Sequence, residues 1–152
     1  MGLVHVDAHM DISNSMNDCA ITHGTTFRRA YEDGCLDASR VWQIGIRGSG
    51  YSLEDAAWPK SVGFNIVRAQ DIYAQSLVGL MNDVRAKMGD APVYISFDID
   101  GLDPSIAPGT GTPEIAGLNS MQALQIIRGC RGMNVVGCDL VEVSNTTCWE
   151  TS

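Results

Sequence analysis

The stretch Pro92-Val93-Tyr94-Ile95-Ser96-Phe97-Asp98-Ile99-Asp100 holds a strand and the first groups of a polar site. Residues 92–97 carry no charge and are rich in β-formers, so they read as a strand buried on both faces. Two carboxylates follow at once, and a Pro- and Gly-rich loop runs from Asp98 to Gly117. The same pattern opens the chain: Val4-His5-Val6 is a short β-rich run that leads into Asp7-Ala8-His9-Met10-Asp11. Val41 to Ile46, Phe64 to Val67 and Asn134 to Val143 are further apolar runs of strand length.

Helical segments separate these runs. Leu77, Leu80, Met81, Val84 and Met88 follow the i, i+3, i+4 spacing of one apolar face, with Arg85 and Lys87 in the last turn and Gly89 as the stop. Thr25 to Glu32 reads as a helix with Gly34 just past its end, and Ser52 to Val62 as a weak one interrupted by Pro59. Asn119 and Gln122 have capping-box spacing at the head of another. Doubly buried strands alternating with helices predict an α/β fold, a three-layer αβα sandwich around a parallel sheet. In such sheets sites form at the carboxyl ends of the strands. No linker or repeat divides residues 1–152, so a single domain is expected.

Composition excludes several functions. Apolar residues make up 45% of the 152, which excludes intrinsic disorder, and charged residues only 18%. Lys+Arg number 10 against 18 Asp+Glu, a net charge of -8, with no basic cluster beyond Arg28-Arg29, so no nucleic-acid partner is expected. No apolar run approaches the length of a membrane span. The odd set Cys19, Cys35, Cys130, Cys138 and Cys148, without a Cys-x-x-Cys, reads as reduced thiols, with Cys130 and Cys138 as small buried hydrophobes.

Both acidic clusters lie at strand ends with their ligand-type residues at i and i+2, on one face of an extended chain. Same-face neighbours are about 6.6 Å apart along a strand. One ion with ligands at roughly 2.1 Å cannot easily collect three of them without a bend, whereas two ions about 3.5–4 Å apart can. One Asp-x-Asp alone is usually a solvated turn. Two such clusters at buried strand tips would repel themselves without a cation. Carboxylates with an imidazole favour a hard or borderline ion such as Mn²⁺. His23, between the first cluster and a helix start, suits proton transfer if it borders that pocket and is otherwise structural. Glu142, near the end of the last strand, would match a cationic substrate group or be a solvated acid. His5 shares the face of Asp7 and His9 but sits deeper, as a structural residue. Residues 101–114 lack a Gly-Lys-Ser/Thr ending and read as a rigid pocket rim, not a phosphate loop.

The motifs Asp7-Ala8-His9-x-Asp11, His23-Gly24-Thr25, Ser96-Phe97-Asp98-Ile99-Asp100-x-x-Asp103-Pro104, Ala107-Pro108-Gly109-Thr110-Gly111-Thr112-Pro113-Glu114 and Asp139-Leu140-Val141-Glu142-Val143 together resemble the ureohydrolase family of arginase, agmatinase and guanidinobutyrase. The intervening Thr25–Ala30 and Gln43–Arg47 stretches are more similar to its agmatinase and guanidinobutyrase branch. The resemblance implies an arginase-like fold and two Mn²⁺ ions held by Asp7, His9, Asp11, Asp98 and Asp100. It also implies catalytic roles for His23 and Asp11 and guanidinium contact by Glu142. The implied reaction is hydrolysis of agmatine or a guanidino acid such as guanidinobutyrate to urea and an amine. Asn14, in the loop Ile12 to Ile21, is a candidate substrate contact.

The chain departs from the family pattern at both ends. A His in a Gly-Gly-Asp-His stretch upstream of Asp-Ala-His would be the first metal ligand, and Ser144 would lead into a Pro-Pro-Tyr-Asp-type loop. Neither is present, and residues 145–152 form a divergent tail. The expectation is an incomplete domain lacking N-terminal strands and a C-terminal strand and helix. Its sheet edges would be exposed. The complete protein is expected to be a homo-oligomer of the cytoplasm or mitochondrial matrix. Two other readings stand beside the enzyme: a catalytically impaired truncated form, and a metal-dependent transferase or phosphatase built on Asp98-x-Asp100 alone.

Overall fold

The structure, a computed structural model, describes residues 1–48 and 53–144. Ser52, Cys148 and the tail of residues 145–152 lie outside the described residues. Strands and helices alternate: β1 (Gly2–Val6), α1 (Thr26–Glu32), β2 (Val41–Ile46), α2 (Leu53–Val62), β3 (Asn65–Arg68), α3 (Ala69–Ile72), α4 (Leu77–Met88), β4 (Pro92–Asp98), α5 (Ser120–Gly129) and β5 (Asn134–Val141). The sheet is parallel throughout, in the order β3-β2-β1-β4-β5. Parallel strands all end on one side, so the residues that follow β1 and β4, neighbours at the centre, emerge together. Register sets Leu3 beside Val41 and Tyr94, and His5 beside Gln43 and Ser96.

Alternation along these strands divides two cores. Val4, Val6, Ile44, Val93, Ile95 and Phe97 meet the buried face of α4 (Leu77, Leu80, Met81, Val84, Met88) and Ala123 and Ile126 of α5. All five apolar positions expected of α4 are buried. On the opposite face Leu3 and Val41 pack with Phe27 of α1, Phe64 and, at their margin, Tyr31 and Trp58. Helices therefore cover both faces, as the three-layer reading expects. No helix of the described residues is long and apolar enough to cross a membrane.

Several details differ from the sequence reading. A 3-10 turn, His23–Thr25, precedes α1 and moves its start by one residue. The short α3 falls where no element is expected. The last strand stops at Val141 because Glu142 turns to φ 58°. β5 is also not doubly buried: Val136 is 57% and Leu140 61% exposed. Among the described residues it pairs only with β4, and Cys138, expected inside, is exposed while Cys130 is buried.

α5 begins with a reciprocal cap: Gln122 N donates to Asn119 Oδ1 and Asn119 N to Gln122 Oε1, both at 2.9 Å. Asn119→Ala removes one arm and is expected to cost about 1 kcal/mol, with Asn119→Asp recovering most of it; urea titration of the three proteins measures both effects.

Candidate metal centre

Each cluster leaves its strand and bends at once. Asp98 caps the 3-10 turn Ile99–Gly101, its Oδ1 accepting from Asp100 N at 2.8 Å. That turn draws Asp100 back toward β1, where Asp100 Oδ1 accepts from Ala8 N at 3.0 Å. Gly101 permits the approach, since a Cβ there would stand 3.1 Å from Asp7 N and 3.3 Å from its Cα. On the other tip Asp11 takes a left-handed conformation, φ 51°, a backbone cost that non-glycine residues accept mainly at constrained sites.

The two tips converge. His9 Nδ1 lies 3.0 Å from Asp100 Oδ2 and 3.5 Å from Asp7 Oδ1. One oxygen of Asp7 accepts from His9 N at 2.5 Å and the other lies 2.7 Å from His5 Nε2. Among the described residues, two sets of potential ligand atoms gather within 4.8 Å: His5, Asp7 and Asp11, and Asp7, His9 and Asp100. Asp7 belongs to both. Asp98 lies in neither set but lines the same cavity, about 40 Å³, with Asp7, His9, Asp11, His23, Asp100, Thr112 and Glu142. A larger cavity of about 410 Å³ adjoins it, sharing Asp7, Asp11, His23, Asp98 and Glu142 and continuing along Leu3, His5, Phe27 and Tyr94. Asn14 lines neither; its Oδ1 accepts from Arg29 Nη2 at 3.0 Å.

Electrostatics show what the cluster lacks. Burial, then the charge of Asp7, pushes the Asp98 carboxyl up to about 9. The same two causes raise Asp11 to about 7. Burial also opposes ionisation of Asp7, but its contacts with His5 and His9 hold it below the ordinary range. His9, hydrogen-bonded to Asp100 and then to Asp7, is pushed up to about 11. Buried carboxylates held this close disfavour one another's charge, and a nearby positive charge relieves that. The donor set, carboxylate oxygens and imidazole without thiolate, fits hard or borderline divalent ions. Shared carboxylates suit two of them.

Several groups escaped the sequence reading. Arg47, just past β2, donates to the carbonyls of Gly45, Asp100, Gly101, Leu102, Glu114 and Ile115 at 2.7–3.3 Å. Burial lowers its pKa, against Asp100 and Glu114, which raise it. Glu114 Oε1 stands 3.6 Å from His9 Nε2, and Thr112 Oγ1 donates to Asp100 Oδ2 at 3.3 Å. A cation directly after a buried strand was the available sequence signal for Arg47. The motif containing Thr112 and Glu114 was visible, but not which side chains turn inward.

The arginase family model matches residues 1–151. The chain belongs to the arginase family. It is 62% identical over 144 residues to the mitochondrial agmatinase of Gallus gallus, covering 95% of this chain and 42% of that protein. Against the guanidinobutyrase of Pseudomonas aeruginosa the identity is 58%, with 95% and 45% covered. The human mitochondrial guanidino acid hydrolase is also 58% identical, with 95% and 41% covered. In structure, this arginase-family chain matches proclavaminate amidino hydrolase from Streptomyces clavuligerus with a TM-score of 0.90 at 36% identity, covering 95% of this chain and 48% of that one. It thus spans less than half the length of each of these relatives.

Two substitutions test this geometry. A Cβ at Gly48 would overlap the His9 ring, so, if the cluster holds divalent cations, Gly48→Ala is expected to lower their affinity at least about tenfold, measured by calorimetry with Mn²⁺ as the probe. Arg47→Ala leaves several carbonyls without their charged donor and is expected to destabilise the fold by roughly 2–3 kcal/mol, read from denaturant midpoints.

Proposed function

We propose that this chain carries the metal centre and the guanidinium-recognition acid of a manganese-dependent hydrolase. Its substrate is agmatine or a guanidino acid such as 4-guanidinobutyrate. The observation that carries the reading is convergence: five candidate ligands from two strand tips line one cavity with His23 and Glu142. The identities to an agmatinase, a guanidinobutyrase and a guanidino acid hydrolase support it from outside.

The reaction is R–NH–C(NH₂)₂⁺ plus water giving urea and R–NH₃⁺. Asp7, His9, Asp11, Asp98 and Asp100 would hold two Mn²⁺ ions, which supply an activated water nucleophile. Glu142, set at the cavity wall by its turn at φ 58°, accepts N–H bonds from the guanidinium and fixes its plane. The surrounding acids favour a cationic group over a neutral one. His23, on the same wall, delivers a proton to the departing amine nitrogen. Asn14 contacts the distal end of the substrate only after leaving Arg29. The complete enzyme is read as a homo-oligomer of the cytoplasm or mitochondrial matrix, and several relatives bear the word mitochondrial in their names.

A second reading is a catalytically impaired form that binds metal without turnover. Mn²⁺-loaded protein offered agmatine, 4-guanidinobutyrate and 3-guanidinopropionate decides between them. Urea release from at least one is expected, with His23→Ala lowering kcat by about 100-fold or more. Glu142→Ala should lower kcat/KM by roughly 10- to 100-fold. Bound Mn²⁺ with no urea from any substrate selects the second reading.

A further inference from the structure

We propose that His5 is a positioning residue: Gln43 holds its ring in one tautomer, so that Nε2–H aims the Asp7 carboxylate at the cations. The proposal rests on the reading of this site as a divalent-cation centre. His5 and Gln43 face the same way from adjacent central strands and are 1% and 0% exposed. A polar pair so deeply buried costs stability unless its bonds are made and used.

The tautomer follows from a carbonyl that cannot change its role. Gln43 Nε2 donates to Met10 O at 2.5 Å. A flipped amide would set its own oxygen against that acceptor, so the NH₂ end is fixed there. The same nitrogen lies 2.9 Å from His5 Nδ1. Nδ1 must therefore be the nitrogen that accepts, and the ring proton sits on Nε2, which is 2.7 Å from Asp7 Oδ2. A nitrogen that donates cannot also ligate, so His5, although it falls in a cluster of possible ligand atoms with Asp7 and Asp11, serves the metal through Asp7. Phe27 fixes the ring, its centroid 4.2 Å from that of His5. His9 N bonds the other Asp7 oxygen. Both oxygens of the carboxylate common to the two ligand sets are thereby oriented, and each keeps a lone pair for a cation.

The test uses the 152-residue chain with Mn²⁺ as the probe. In metal-free protein, ¹⁵N shifts of His5 are expected to report a proton on Nε2; a proton on Nδ1 overturns the proposal, and this measurement needs no variant and no activity. Calorimetry and thermal melting then compare His5→Phe, which keeps a ring against Phe27 but loses the donor, with His5→Gln, which restores an N–H near the same place. Expected are a roughly 10- to 100-fold loss of Mn²⁺ affinity in His5→Phe at unchanged ion count, and recovery of most of it in His5→Gln. Equal affinity in all three proteins overturns the role and leaves the cation reading standing. An ion count that falls by one in His5→Phe overturns it too, by making His5 a ligand. Wild-type protein that binds no Mn²⁺ overturns the cation reading and the role together. Should His5→Phe fail to fold, the tautomer and His5→Gln still decide: a Gln variant that folds but binds as weakly as an Asp7→Asn control overturns the proposal.

Discussion

Four carboxylates drawn to the carboxyl ends of two adjacent strands, three of them buried, repel one another. Burial and the charge of Asp7 raise Asp98 and Asp11 toward their neutral forms, and the Asp100 and Asp7 carboxylates favour a charged His9. Acids tolerated in this arrangement imply a compensating positive charge in the working state. The rest of the architecture holds the arrangement together: parallel pairing of β1 and β4 sends both tips to one side, and the Ala8 N–H bond to Asp100 closes the gap between them.

The loops around the centre are fixed from behind by charge-assisted bonds to backbone. Arg47 ties the end of β2, the turn at Asp100–Leu102 and the rim at Glu114–Ile115 into one body. Asp103 fixes the other end of the same rim, accepting from Ser105 and from Gly117 N, and those bonds bring its carboxyl down to about 2. Backbone donors and acceptors that a Pro- and Gly-rich loop cannot pair within itself are satisfied this way. The rim thus stays near His9 and Asp100 without being helix or strand.

Much of this was legible in the sequence, for definite reasons. The α4 face follows from 3.6-residue spacing, the α5 cap from the side chains of Asn119 and Gln122, and the parallel sheet from strands without a polar face. The acidic groups declared themselves because Asp7, His9 and Asp11, like Asp98 and Asp100, follow a buried strand directly, and repeated charge at such a tip needs a counter-charge. β5 misled because an apolar strand reads alike at the centre of a sheet and at its edge, and only pairing distinguishes them. His5 reads as a packing residue because it lies deep in its strand, and its partner Gln43 comes from a strand far away in sequence.

The amino-acid sequence by itself determined the elements, the layers they make and the kinds of donor at the strand tips, since local periodicity and residue chemistry are properties of short stretches. Only the tertiary structure decided which oxygen meets which neighbour: that Asp7 is shared between two ligand sets, that Arg47 spans the loops, and that Asn14 is engaged by Arg29. These depend on angles and distances between segments brought together from distant parts of the chain, and such relations exist only once the sheet has set its register.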